Sequence, residues 1–337
     1  MFGPDAPTPR GASAVRVGIL GAGTVGAALV RLLARHPEIE VTAVLVRDLE
    51  RPRDLGPNPP RRTTDPEQVL ADADVVVELL GGVSAPTALM AEAARRGARL
   101  VTANKAALAE RWDVWGPWVR AGRVGFEAAV MAGTPVVGPL AGALRGSRMR
   151  SLEAVLNGTC AHLIGEMERG VPFATALAEA QRRGLAEADP ALDVDGWDAA
   201  HKLTLLARLT VDPDLDWAAV RPHVRGVRDL TPERVRAERA AGRRVRLVGF
   251  VEPDARGGWR IGVEPRSLPE AHPLAWLADG RNALVYRGDA SGEIWIAGPG
   301  AGADATAGAV LADVLAAVRG EAGPRPAERR QPPPGAA

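Results

Sequence analysis

Lysine is almost missing from this chain. Of 42 basic residues only Lys105 and Lys202 are lysines; arginine serves wherever else a positive charge stands. Arginine holds its proton near neutral pH, whereas a partly buried lysine can release one. The two exceptions are therefore candidates for proton transfer or for compact ammonium contacts. Two charges that drift left unreplaced are the plainer reading, but each lysine sits inside a dense polar motif. Cysteine is as scarce. Cys160 alone excludes an intramolecular disulfide and fits a reducing cytoplasm. Neither sign of charge is in excess: the net charge is +1, with acids and bases interspersed, so the basic footprint of a nucleic-acid binder is absent. No apolar run reaches membrane-spanning length, and residues 1–13 lack the apolar centre of a secretion signal. There is no internal repeat.

What is present suits a globular protein of about two domains: 337 residues, 46% hydrophobic and 25% charged. Val15 to Leu20 reads as a buried strand, and an amphipathic helix is expected from about Ala27 to Arg35. Between them stands Gly21-Ala-Gly23-Thr24-Val25-Gly26. Strand, G-x-G-x-x-G and helix make the dinucleotide-binding fingerprint in its required context. Gly21 makes the tight turn, Gly23 lets the backbone approach a pyrophosphate, and Gly26 allows close helix–strand packing. A second strand, Glu40 to Val46, ends at Arg47-Asp48, with Arg51 and Arg53 following. Arg47 suits a 2′-phosphate and Asp48 a free ribose hydroxyl, so NADP(H) is preferred and NAD(H) is the alternative. Asp74 to Leu80 and Arg99 to Thr102 read as further strands, the latter with Asn104-Lys105 at its carboxyl end, where doubly wound sheets bind ligands. Trp112, Trp115 and Trp118 recur at helical spacing as core. Val124 to Ala128 reads as a strand carrying Glu127.

The densest chemistry lies between Gly184 and Leu209. Glu187, Asp189, Asp193, Asp195 and Asp198 precede an apolar helix bearing His201 and Lys202. Asp195 is placed as N-cap, with Asp198 answering it three residues on. Asp198 and Lys202, four apart, share a helix face. Five carboxylates so close need a cation among them, and a substrate ammonium, a metal or Lys202 would serve. Around this block Asn157-Gly-Thr-Cys160 opens a helix. Val245–Val251, Trp259–Pro265, Ala283–Tyr286 and Gly292–Ala297 read as a mostly antiparallel sheet, followed by a glycine-rich turn to Gly302 and a helix from Ala307 to Val318. Residues 1–13 are expected as a disordered lead-in and residues 321–337, with five prolines, as a disordered tail. The fold class is α/β: a Rossmann-type doubly wound parallel sheet with a second, α+β domain.

VELLGG, VTANKAAL, FEAAVMAGTPVV, LEAVLNGT, GLAEADPALDVDGWDAAHKL and GPGAG, in this order from about residue 15 to 320, resemble homoserine dehydrogenase. The resemblance implies reduction of aspartate 4-semialdehyde to homoserine with NADPH or NADH, on the way to threonine and methionine. It implies a dinucleotide-binding domain over 14–134 completed by 303–320, a substrate and dimerisation domain over 135–302, and a cytoplasmic homodimer. Lys202 falls on the family's proton donor, and Lys105 near cofactor and substrate. Glu187 and Asp198 fall on its substrate-holding carboxylates, with Asp193 nearby. Thr102 and Gly302 fall beside the cofactor. Glu127, Val130, Ala132 and Thr134 fall on a turn that holds a monovalent cation such as sodium. Three departures stand out: Leu185 where the family often has tyrosine, Cys160-Ala161-His162 in place of a more polar continuation, and Ala305 for proline. Many members carry a C-terminal regulatory domain, for which residues after 320 are too few.

The chemistry fits these residues independently of the family. Negative charge building on an aldehyde oxygen calls for an ammonium donor. A substrate that is an amino acid calls for carboxylates, Glu187 and Asp198, and for carboxylate-binding donors, the Gly158 backbone and Thr159. Two rivals stand beside this reading: another NAD(P)-dependent amino-acid oxidoreductase on the same architecture, and a non-enzymatic dinucleotide sensor. A sensor has no need of a placed proton donor.

Overall fold

Branched apolar runs build the first sheet. The computed structural model describes residues 14–332 apart from 278 and 279, so the expected lead-in lies outside the described residues. Six strands, β1 (Val15–Leu20), β2 (Ile39–Leu45), β3 (Arg61–Thr63), β4 (Val75–Glu78), β5 (Arg99–Thr102) and β6 (Val124–Gly125), pair in parallel in the order β3-β2-β1-β4-β5-β6. A parallel sheet is covered on both faces, which is why every residue of β4 is buried. The order reverses between β1 and β4, and ligands bind beyond the carboxyl ends of the strands at such a point. The glycine turn after β1, the Glu78–Gly82 turn after β4 and the segment after β5 leave the sheet at that end. Helix α1 (Thr24–Leu33) begins three residues before its expected start, because Gly23 serves as its extended N-cap. A Cβ on Gly26 would stand 2.1 Å from the Gly21 carbonyl oxygen, so only glycine lets the helix sit this close to the strand.

After β5 come α2 (Lys105–Glu110), α3 (Trp112–Arg120), α4 (Ala128–Met131) and α5 (Val137–Ala141). The chain then builds a second sheet from β7 (Met149–Val155), β8 (Arg243–Pro253), β9 (Trp259–Pro269), β10 (Arg281–Gly288) and β11 (Gly292–Pro299). Its order is β11-β10-β7-β8-β9, and every pair is antiparallel. Helices α6 (Gly158–Glu168) and α7 (Trp197–Thr210) pack on it, and α8 (Ala303–Val318) returns to α1 and the first sheet. From Asp198 to Thr210, α7 is buried on every side, as a helix between layers must be. Among the described residues no helix is long and apolar enough to cross a membrane.

Four expectations change. Strand β6 stops at Gly125, and Glu127 is the N-cap of α4; its carboxylate is drawn to the amides of residues 136–138. Helix α7 begins at Trp197 behind Gly196, whose φ of +85° suits glycine, and carries no side-chain cap. Asp195 turns instead to Arg228, and Asp198 points into the site described below. Strand β3 forms where no strand was expected. Residues 321–332, expected as disordered tail, are bound to the body: the amides of Gly323, Ala327 and Arg330 donate to the carbonyls of Gly122, Leu209 and Val211 at 2.8, 3.0 and 2.9 Å. Residues 333–337 lie outside the described residues.

One buried cation sets the register between α2 and α7. Arg208, only 1% exposed, donates to the carbonyls of Leu108, Ala109 and Leu215, each at 2.9 Å, and its guanidinium lies 4.3 Å from the centre of the Trp112 ring. Burial pushes its pKa down to about 9. Among the described residues no carboxylate pairs with it; the last turn of α2 supplies two of its acceptors. Arg208→Ala leaves three carbonyls without their donor at about 1 kcal/mol or more each. Chemical denaturation should show a loss of about 3 kcal/mol or more, and a loss below 1 kcal/mol would show that water replaces the guanidinium.

Candidate active site

Asp198 lies at the junction of two cavities of about 630 and 320 Å³. One carboxylate oxygen accepts from Lys202 Nζ at 2.8 Å and from Asn157 Nδ2 at 2.8 Å, and the other is 3.2 Å from Lys105 Nζ. Burial alone would raise this carboxyl's pKa. The charges of Lys202 and Lys105, with hydrogen bonds from Lys202 and Asn157, outweigh burial and hold it well below the usual carboxylate range. The two lysines of the chain thus meet on one buried anion. Lys202 Nζ also donates to the Leu156 carbonyl at 2.7 Å. Two of its three protons have acceptors, and the third is left for a guest in the larger cavity, which Lys202 lines.

Asn157 organises the acidic side. As N-cap of α6, its Oδ1 accepts from the Cys160 amide at 2.8 Å, while Nδ2 reaches Asp193 at 2.7 Å as well as Asp198. Burial first, then the Asp198 charge, raise the Asp193 pKa; the Asn157 bond works against them. Asp193, Asp198 and Lys105 line both cavities, Gly158 and Thr159 only the larger, and Glu187 only the smaller. The Thr159 hydroxyl, expected to face a substrate carboxylate, donates to the Leu185 carbonyl at 2.9 Å. Burial pushes the Cys160 thiol well up, which leaves it inert.

At the first sheet, the glycine turn is shaped for an anion. Gly23 and Thr24 are exposed, and nothing lies within 4 Å of where a Gly23 Cβ would be. No side chain caps α1, so its first-turn amides are left for a ligand. Val25 and Gly81 line the smaller cavity. The residues present therefore fit a dinucleotide pyrophosphate.

A family model described as homoserine dehydrogenase matches residues 135–315, and one described as its NAD-binding domain matches residues 21–114. The homoserine dehydrogenase of Corynebacterium glutamicum is 34% identical over 91% of this chain and 72% of its own length. That of Synechocystis is 36% identical over 89% and 72%. The chain belongs to the homoserine dehydrogenase family. A solved homoserine dehydrogenase from Thiobacillus denitrificans superposes with a TM-score of 0.85 at 35% identity, covering 91% of this chain and 74% of that one. A hyperthermophilic archaeal mutant homoserine dehydrogenase in complex with NADPH superposes with a TM-score of 0.75 at 26% identity, covering 91% and 98%. The activity is accordingly NAD(P)-dependent reduction of L-aspartate 4-semialdehyde to L-homoserine, a step of amino-acid biosynthesis, and neither rival reading is favoured.

The other expected residues are placed unevenly. Arg47 is exposed on its loop, while Arg53 ties that loop to the glycine turn by donating to the carbonyls of Ala22 and Asp48 at 3.2 and 2.7 Å. Thr102 is fully buried, its hydroxyl donating to Glu78 at 2.7 Å, so its side chain faces the interior rather than a cofactor. Gly302, with a φ of +122°, opens α8 beside cavity-lining Gly300, Ala301 and Thr306. Val130 and Ala132 line the larger cavity. Ala132 is the single non-glycine residue with positive φ among the described residues, at 49°. Thr134 donates its hydroxyl to the Pro299 carbonyl at 3.0 Å. The Glu127 carboxylate already accepts from the amides of Val136, Val137 and Gly138.

Sequence reasoning missed three organisers: Asn157, Arg208 and Glu78. Buried Glu78 accepts from Thr102 and from the Leu80 amide, each at 2.7 Å, and so joins the turn after β4 to the segment carrying Lys105. A lone carboxylate closing an otherwise apolar strand was the available signal.

Asp313 on α8 holds the turn that carries Glu127, accepting the Glu127 amide at 2.8 Å. Burial and the neighbouring Glu127 charge raise its pKa to about 7, against the pull of that amide. An acid whose pKa is raised by folding binds protons more tightly in the native state, so stability falls as pH rises from about 4 to about 7. At about 1.4 kcal/mol per unit, ionised Asp313 costs the fold on the order of a few kcal/mol above neutrality. Asp313→Asn keeps an acceptor for the amide and should raise the melting temperature at pH 8 more than at pH 5. Equal shifts at both values would show that Asp313 does not titrate in this range.

Proposed function

We propose that Lys202 gives the proton to the substrate oxygen when aspartate 4-semialdehyde is reduced. The uncommitted third proton of its ammonium, at the edge of the larger cavity, carries this reading. When bound, the nicotinamide supplies the hydride. Asp198 aims both lysines, and Lys105 orients the aldehyde from between the two cavities. The substrate ammonium lies toward Glu187 and Asp193, because the Asp198 carboxylate is already compensated. Its carboxylate takes amides at the start of α6, Gly158 and Thr159, with the Thr159 hydroxyl committed elsewhere. Gly21 to Gly26 and Gly302 hold the dinucleotide, whose 2′-phosphate meets Arg47, so NADPH serves better than NADH. Residues 14–134 with 303–320 form the cofactor domain and 135–302 the substrate domain of a cytoplasmic homodimer. A monovalent cation at residues 127–134 would take main-chain oxygens of Glu127, Val130, Ala132 and Thr134, since the Glu127 carboxylate is occupied by three amides.

Lys202→Arg is the decisive variant. It keeps the charge but holds its proton too tightly and replaces a compact ammonium with a planar fork. Turnover should fall by about 10²–10⁴-fold, with cofactor affinity and melting temperature near their original values. Near-normal turnover in a well-folded variant would transfer the role to Lys105. For the cofactor, Arg47→Ala should raise the Michaelis constant for NADPH and leave that for NADH in place. Equal loss with both would mean that Arg47 serves only its loop.

A further inference from the structure

Residues 321–332 do more than lie on the surface. The Ala327 and Arg330 amides donate to the carbonyls of Leu209 and Val211, at the end of α7 where a helix leaves its carbonyls without partners. The segment therefore caps the helix that carries Asp198 and Lys202, and Leu209 is about 10 Å along the axis from Lys202. The Arg330 carbonyl in turn accepts from Trp259 Nε1 at 2.6 Å. Segment, helix end and second sheet are tied together at one place.

An open cleft of about 520 Å³ lies beside this knot, faced by Arg120, Arg145, Arg325 and Arg330, with Glu328 the one carboxylate lining it. Among the described residues, Arg120 is the one of the four guanidinium groups with a carboxylate partner, Asp214. Arg145 donates to the carbonyls of Arg325 and Pro326, and its Nε is buried without an acceptor among the described residues. Arg325 donates to the Ala121 carbonyl at 3.3 Å. The Arg330 side chain makes no hydrogen bond or ion pair among the described residues. Glu328 and Asp214 leave two positive charges of the four uncompensated. Crowded cations around a concavity attract a counter-ion of matching charge, and the guanidinium fork favours carboxylate and phosphate oxygens.

We propose that this cleft binds a small anion carrying two or more negative charges, a phosphate ester or a polycarboxylate, and that its binding fastens residues 325–330 onto the end of α7. The anion bridges Arg330 and Arg325 of the segment to Arg145 and Arg120 of the body. It acts apart from the dinucleotide site.

The test uses the full chain saturated with NADP⁺, so that added phosphate cannot report on the glycine turn. Pyrophosphate and citrate are titrated separately by calorimetry at matched ionic strength, which distinguishes the two ligand classes. At least one should bind saturably. Arg330→Gln removes a side chain with no hydrogen bond or ion pair of its own among the described residues, and it should weaken binding by about tenfold or more, as expected for loss of a charged hydrogen bond. Amide exchange at Ala327 and Arg330 should slow when the anion is bound. Absence of saturable binding by either probe, or binding unchanged in Arg330→Gln, overturns the site. Binding with unchanged exchange at those two amides overturns the fastening.

Discussion

A single buried carboxylate with two ammonium partners holds the site together. Asp198 would be a costly group in the interior if alone. Lys202 from its own helix, Lys105 from α2 and Asn157 from the start of α6 compensate it. Each partner arrives on a different element, so the anion also fixes those elements relative to one another. Removing either lysine would leave a buried negative charge short of a partner, which is why such clusters tolerate little change. The cavities meet at this group, and both lysines line the larger of them.

The scaffold behind the cluster repeats the same physics with fewer charges. Arg208 binds the last carbonyls of α2 while Lys105 stands at the first residue of that helix. His201, one residue before Lys202, meets Glu110 at the other end of α2 at 2.9 Å. Burial lowers the histidine's pKa, and Glu110 opposes the shift. Glu78 gathers the turn after β4 and the segment after β5 in the same manner. Polar groups inside a protein must be satisfied, and here they are satisfied across element boundaries, so that satisfying them sets the geometry of the site.

Much of this was legible in the sequence. The scarcity of lysine singled out Lys105 and Lys202, and their spacing from Asp198 placed one ion pair on a helix face. The glycine turn followed a predicted strand and opened a helix. Reasoning from neighbours failed where a partner lay outside the local window. Glu127 continued an apolar pattern and was read as strand, yet amides nine to eleven residues later hold its carboxylate. Asp195 had the residue type of an N-cap but is drawn to Arg228, 33 residues away. The proline-rich segment after residue 320 had the composition of a free tail, yet three distant carbonyls hold it.

By itself, then, the sequence determined most strands of the two sheets, the dinucleotide turn, and the chemical kinds of group at the site. Hydrophobic period, glycine at positions without room for a Cβ, and the choice of lysine over arginine are properties of a residue and its immediate neighbours. Only the tertiary structure decided that Asn157 serves Asp193 and Asp198 together, that Arg208 joins α7 to α2 through backbone carbonyls, and that Thr102 faces inward to Glu78. Those contacts join residues 24 to 100 positions apart. Hydrogen-bond distances between such groups follow from how whole helices and sheets pack, and no local pattern carries that information.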